Sequence, residues 1–344
     1  MVESLQDTSS DALQDILQEV LPAPVRALAE ADFSAVARAF GDAGFTVAEP
    51  ADGILTIRRP RTSRPAVLLS VGVHGDETGP IELTAYLLDA LAREPQALAV
   101  DLMVCVGSIG AIRAGKRFID ADLNRMFRAE RGSLAGTAEA ARADEMIAAT
   151  AAFFADAGPE RWHLDLHTAI RASHYPTFAI VPELIEAGAR ERLVGWLGEA
   201  GIGAVILNRE TAGTYSFHTA EHYGAAGSTV ELGRIGTLGR NDLAQFAAAS
   251  AALDRLLRGQ PSPPDAQASP HLFRVAQNII KLSDGLTMAF GRETQNFTPL
   301  RQGDEIARDG DTVYTVQHAE EFVVFPNPDV RIGLRAGMMV VRIG

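Results

Sequence analysis

The feature that most constrains this chain is A-V-L-L-S-V-G-V at 66–73, apolar at nearly every position and followed at once by a helical pattern. A strand with one wet face alternates apolar and polar residues. A strand that is apolar throughout is covered on both faces, as in sheets packed between helices. After the turn H-G-D-E-T-G, Pro80 suits a first helical turn, and Leu83, Leu87 and Leu91 recur one turn apart. Further strands are expected at 53–59, 100–106, 162–167, 177–181, 203–207 and 228–232. Helices are expected at 137–156 (Ala-rich, with Met146, Phe153 and Phe154), 183–200 and 241–257. This alternation predicts an α/β domain with a largely parallel or mixed sheet flanked by helices.

The ends read differently. Residues 1–50 form an expected helical N-terminal region ending in a short turn, with Leu13, Ile16, Val20 and Leu21 at helical spacing. R-G-Q-P-S-P-P-D-A-Q-A-S-P at 258–270 carries four prolines and almost no apolar residue, the composition of a linker. Beyond it, F-R-V-A, D-T-V-Y-T-V, F-V-V-F and M-M-V-V-R-I are separated by Gly, Asp, Asn and Pro, which predicts a small all-β domain over 271–344. The expected division is therefore a catalytic domain over 1–257, the Pro-rich linker, and the β domain.

Charge and cysteine usage exclude several classes. A formal net charge of −13 argues against nucleic acid and anionic membranes as partners, since both need basic surface. No stretch approaches the roughly 18 apolar residues of a membrane span. The acidic start M-V-E-S-L-Q-D-T-S-S-D lacks a basic n-region and an apolar h-region, so a cytoplasmic protein is expected. The single cysteine, Cys105, lies in L-M-V-C-V and reads as a buried structural thiol. It excludes an intrachain disulfide and a thiolate-rich zinc site. Nothing in the pattern bears on oligomeric state.

Three segments bring metal-ligand chemistry to expected strand ends, where open α/β sheets form their sites. His74 and Glu77 lie in the turn leaving the strand at 66–73 and can point into one cleft. Two histidines and a glutamate would leave a position open for water on a catalytic zinc. In H-L-D-L-H at 163–167, His163, Asp165 and His167 share one face of a strand. His167 is the best placed to reach the cleft, Asp165 can orient a ligand imidazole, and His163 reads better as a core partner of Asp165. In T-V-E-L-G at 229–233, Glu231 can serve as general base and then as proton donor. Arg117, Asn124 and Arg125 in R-F-I-D-A-D-L-N-R-M-F, and Arg171 after His167, add groups suited to a polyanionic substrate. His174 can line the same pocket, whereas His218 and His222 read as surface or loop residues.

In order, G-V-H-G-D-E-T-G-P-I-E at 72–82, D-L-N-R-M-F at 122–127, D-L-H-T-A-I-R-A-S-H at 165–174 and T-V-E-L-G at 229–233 resemble the succinylglutamate desuccinylase/aspartoacylase family, which shares the zinc-carboxypeptidase fold. G-R-N-D-L at 239–243 and F-P-N-P-D-V-R-I-G-L-R-A-G at 325–337 extend the resemblance over roughly 50–340. It implies a zinc-carboxypeptidase-like mixed sheet and one Zn2+ per chain on His74, Glu77 and His167. It also implies Glu231 as general base and acid, Arg117 as oxyanion stabiliser, and Asn124 and Arg125 as ligands of a substrate carboxylate. Arg171 is added as a carboxylate contact from its proximity alone. Two positions depart from the family pattern: Asp76 stands where Asn is usual, and Gly107-Ser108-Ile109 where G-N-P is usual.

The resemblance implies hydrolysis of N-succinyl-L-glutamate in arginine breakdown, with a small anionic N-acyl amino acid as the partner. Alternatives are a deacylase of another N-acyl amino acid such as N-acetylaspartate, a metallocarboxypeptidase, or a catalytically silent module that senses an acidic metabolite. A sensor has no need of Glu231, and an open peptide cleft conflicts with a C-terminal β domain lying over it.

Overall fold

Apolar residues that alternate between two covered faces set the centre of the molecule. A computed structural model describes residues 21–59, 64–210, 213–263, 269–291 and 293–344. Helices α1 (Ala23–Ala29) and α2 (Ser34–Asp42) lead into strands β1 (Thr46–Ala51) and β2 (Ile54–Arg58). There follow β3 (Ala66–Val71), α3 (Thr78–Arg93), β4 (Asp101–Val106), α4 (Ile109–Arg113), α5 (Ala138–Ala155) and β5 (Arg161–Ala169). The chain continues through β6 (Phe178–Pro182), α6 (Ala187–Glu199), β7 (Ala204–Asn208), α7 (Tyr215–Tyr223), β8 (Ala226–Arg234) and α8 (Ala247–Leu257). The remaining strands are β9 (His271–Ile280), β10 (Thr287–Met288), β11 (Thr298–Arg301), β12 (Glu305–Asp309), β13 (Thr312–Thr315), β14 (Glu320–Val324) and β15 (Arg335–Arg342).

A twelve-stranded mixed sheet runs in the order β1-β2-β4-β3-β5-β8-β6-β7-β9-β15-β14-β11. Its central strands β4, β3, β5 and β8 are parallel. Val67, Leu69 and Val71 of β3 pack into one core with α1, α2, α3, α6 and α8, while Ala66 and Leu68 pack into the opposite core with α5. The all-apolar strands are thus buried on both sides, as expected. Among the described residues no helix is long and apolar enough to cross a membrane.

The C-terminal β segment is small and antiparallel, and it joins the main sheet. β9 lies parallel to β7, with Ala204 opposite His271. β15 pairs antiparallel with β9, and β14 and β11 complete the edge. A second, three-stranded sheet, β10-β12-β13, stands beside them.

Several local expectations shift. Residues 46–50, read as part of the helical N-terminal region, belong instead to the edge strand β1 against β2. The expected helix over Leu13, Ile16 and Val20 lies outside the described residues. The helix expected from 183 begins at Ala187, because the Glu186 carboxylate accepts the N–H groups of Gly188 (2.9 Å) and Ala189 (2.8 Å) as an N-cap. Helix α7 was not anticipated. Cys105 is fully buried, and burial pushes its thiol up to about 12, so it is inert.

Candidate metal centre and active site

β3, β5 and β8 are neighbours in the sheet and parallel, so their carboxyl ends open onto one place. His74 and Glu77 lie in the short turn between β3 and α3, His167 near the end of β5, and Glu231 near the end of β8. The turn is clamped from behind: a Cβ on Gly75 would meet the backbone of Ala111 and Ile112 at 2.4 Å. Glycine here allows the close approach that fixes where His74 and Glu77 point.

Each of His74, Glu77 and His167 offers one ligand atom, and these atoms lie within 4.8 Å of one another. All three residues are buried. The Glu77 carboxylate sits between the two imidazoles, with Oε1 2.8 Å from His74 Nδ1 and Oε2 2.8 Å from His167 Nδ1. The far nitrogens each face an aspartate: His74 Nε2 is 2.9 Å from Asp122 Oδ1, and His167 Nε2 is 2.9 Å from Asp165 Oδ2. Carboxylates behind ligating histidines fix the tautomer and raise ligand basicity. With Nε2–H donated outward, both Nδ1 lone pairs point at Glu77, an arrangement that a cation between them satisfies. The donor set, two imidazoles and one carboxylate with two further carboxylates behind, fits a divalent ion such as zinc.

The surrounding carboxylates favour positive charge at both imidazoles. Burial alone would lower the pKa of both histidines. The charge of Glu77, followed by Asp122, reverses this for His74; Asp165 and Glu77 reverse it for His167, which is raised well above the usual imidazole range. Burial likewise opposes ionisation of Glu77, but His74 and His167 hold it well below the usual carboxylate range. Asp122, despite its burial, is held far below the usual range by Arg125 and His74.

Asp165 is fixed in turn. Ser70 of β3 donates its hydroxyl to Asp165 Oδ1 (2.5 Å), so its oxygen accepts from His163 Nε2 (2.9 Å). The expected pairing of His163 with Asp165 therefore runs through Ser70, and burial pushes His163 down to about 4, which keeps it neutral. Asp165→Asn should weaken zinc binding by about 10–100-fold while the fold persists. Competition with a chromogenic chelator measures this, and an unchanged affinity would remove Asp165 from the ligand-orienting role.

Arg117 lies against the trio, donating from Nη1 to Glu77 Oε1 at 2.7 Å. Its position follows from a buried carboxylate that the sequence reading missed. Glu139, on the first turn of α5, accepts the backbone N–H groups of Ile119 (2.8 Å), Asp120 (3.2 Å) and Ala121 (3.1 Å), organising the loop between Arg117 and Asp122. Asn124 is buried. Its Oδ1 accepts from Tyr215 N at 2.9 Å, and its Nδ2 lies 3.5 Å from Asp165 Oδ2. Arg125, half-buried, donates to the Asn124 carbonyl at 2.8 Å and stands 3.9 Å from Asp122. Arg171 is not drawn into this group; its Nη1 reaches the Gly291 carbonyl at 3.5 Å. His174 is exposed at the rim, its N–H donating to the Asn296 carbonyl at 3.1 Å. His222 is exposed as expected, whereas His218 is buried inside α7, stacked on His222 at 4.2 Å between ring centroids.

Glu231 faces the trio from β8, level with His167 of β5 and with Phe178 of β6. Phe178 stacks edge-on with Phe297 (5.3 Å) and lies 5.5 Å from Phe325, so an apolar wall closes that side. Glu231 Oε2 is buried and has no hydrogen-bond partner among the described residues. Burial, then the charge of Glu77, raises its carboxyl to about 7. A carboxyl poised near neutrality beside a metal-ligand donor set is equipped to take and return a proton.

The chain matches the succinylglutamate desuccinylase/aspartoacylase catalytic domain over residues 63–257 and the AstE/AspA barrel-sandwich hybrid domain over 268–343. It belongs to the succinylglutamate desuccinylase/aspartoacylase family. Members similar to it include succinylglutamate desuccinylases of Burkholderia cenocepacia (44% identical, spanning 84% of this chain and 86% of that one) and Burkholderia thailandensis (46%, spanning 84% of each). The crystal structure of succinylglutamate desuccinylase from Vibrio cholerae superposes with a TM-score of 0.81 at 32% identity, covering 88% of each chain. The Chromobacterium violaceum enzyme gives 0.76 at 34%, covering 90% of this chain and 98% of that one. Family membership accounts for both the mixed sheet flanked by helices and the C-terminal β segment.

Proposed function

We propose that this protein is a zinc-dependent amidohydrolase that cleaves N-succinyl-L-glutamate to succinate and L-glutamate, a step of arginine breakdown. The observation that carries the reading is the unpartnered, buried carboxyl of Glu231, held near neutral pH beside the trio His74, Glu77 and His167. The names of the curated relatives support the choice of substrate.

One zinc ion per chain, held by His74, Glu77 and His167, would polarise the amide carbonyl and make water acidic enough to attack at neutral pH. Glu231 takes the proton of the attacking water on its carboxylate. It then returns that proton to the amide nitrogen and the C–N bond breaks; the second water proton passes from the new carboxyl to the amine, so succinate leaves as a carboxylate and L-glutamate as an ammonium. Arg117 neutralises the charge that develops on the carbonyl oxygen. Arg125 grips a substrate carboxylate. Asn124, whose amide is held by the Tyr215 N–H and faces Asp165, binds the same carboxylate beside Arg125. Arg171 serves a carboxylate nearer the rim. Local guanidinium groups are what admit a trianion to a chain of net charge −13.

The test is release of L-glutamate from N-succinyl-L-glutamate by the purified protein, before chelation, after it, and after zinc add-back. Release that disappears and returns with zinc is expected. A protein that binds zinc stoichiometrically yet releases nothing would overturn the substrate.

A further inference from the structure

Arg335 opens β15, opposite Ile280 of β9, in a strand whose next residues Ala336, Met338, Met339 and Val340 are wholly buried. Its side chain is half-buried. Among the described residues its guanidinium makes no hydrogen bond and no ion pair. The charged groups around it are Arg125, Glu210 and Asp122. Both acids are engaged elsewhere. Glu210 is exposed and accepts from Asn278 Nδ2 at 2.5 Å, and Asp122 accepts from His74 Nε2 and from the Asn124 N–H at 2.9 Å each. Arg125 itself stands 3.9 Å from Asp122, so two guanidiniums, one from the catalytic segment and one from the C-terminal sheet, flank the aspartate that faces His74. Burial, then the charge of Arg125, lowers Arg335 to about 10. Like charges brought together in a partly dry site, with donors unused, are destabilising unless an anion completes them.

Building on the deacylase reading above, we propose that Arg335 of the C-terminal sheet and Arg125 of the catalytic segment form a two-guanidinium clamp on a single substrate carboxylate. Guanidinium forks bind carboxylates through paired, directional hydrogen bonds. A strand start surrounded by buried residues holds such a fork in a defined place.

The test compares wild-type protein with Arg335→Met, Arg335→Lys, Arg125→Met and, as control, Arg342→Met at the far end of β15. Substrates are N-succinyl-L-glutamate and three analogues, each with one carboxylate replaced by a carboxamide. Arg335→Met should lower kcat/KM for the parent by about 10²-fold, mainly through KM. It should have almost no further effect on one analogue, and that analogue should be the one to which Arg125→Met is also blind. Arg335→Lys should restore part of the loss. The clamp is overturned if Arg335→Met behaves like Arg342→Met, or if it reduces the parent and all three analogues in equal proportion. If wild-type protein cleaves none of the four, the deacylase reading fails separately. Calorimetric binding of succinate and of L-glutamate then decides: tenfold or greater weakening of either by Arg335→Met upholds the clamp, and unchanged binding of both overturns it.

Discussion

Glu231→Gln lowers kcat by about 10³-fold or more, leaves zinc stoichiometry and KM close to wild type, and makes the chelated protein more stable at pH 8. The activity loss follows from removing the carboxyl proposed to accept and return the proton, a contribution of about 10²–10⁴ in general acid–base catalysis. The stability gain follows from linkage. Burial raises the folded-state pKa of Glu231 from 4.5 to about 7. The folded chain therefore binds the proton more tightly than the unfolded chain. The associated stability is fully present below about pH 4.5 and is lost as pH rises through about 7. Glutamine has no such charge to bury, so at pH 8 the variant should exceed wild type by about 3 kcal/mol and match it near pH 4.5. Urea unfolding of both chelated proteins at the two pH values measures the difference. Equal stability at pH 8 would mean that Glu231 is not a buried carboxyl, and near-normal turnover would remove its catalytic role.

His167→Ala should abolish stoichiometric zinc binding, turnover and the zinc-dependent rise in Tm together. A ligand present at a thousand times its Kd stabilises the folded state by about 4 kcal/mol, and the variant forgoes that increment. The chelated variant should itself unfold more easily than chelated wild type, by about 3–5 kcal/mol, because Glu77 and Asp165 lose the imidazole that both of them face. The comparison residue is four positions away on the same strand face. His163→Gln should retain zinc, since His163 touches Ser70 and Thr219 and no member of the trio. Metal analysis after dialysis separates the two: retention by His167→Ala, or loss by His163→Gln, would reverse their roles.

The parts of this molecule that were legible in its sequence are those where chemistry or burial repeats locally. β3 and β4 are buried at every position, and that continuous apolar run is visible in one dimension. That His74, Glu77 and His167 meet was legible because strand ends are legible, and side chains from neighbouring parallel strands converge there. Helix α7 was not, because Tyr215 through Ala220 are all buried and leave no polar face to produce a period. β1 escaped for the opposite reason: T-V-A-E-P-A is an edge strand with almost no buried residue. Asp122 stood in plain view within D-L-N-R-M-F, yet its contact with His74 spans 48 positions of sequence. Glu139 sits on a helix that reads as an ordinary Ala-rich amphipath, and only the fold brings the 119–121 backbone to it. Arg335 belongs to a segment that carries part of the family resemblance, but its neighbour Arg125 lies more than two hundred residues earlier. Pairings of that range are set by sheet order, which local patterns do not encode.

The hydrogen-bonded ladder between β7 and β9 means that the proline-rich stretch at 258–270 joins two segments already laced together by their backbones. Severing that stretch should leave the pieces associated, much as a cut thread leaves woven cloth intact. Heat should then melt the chain in a single step, with Arg335 and the trio of His74, Glu77 and His167 losing their surroundings at the same temperature.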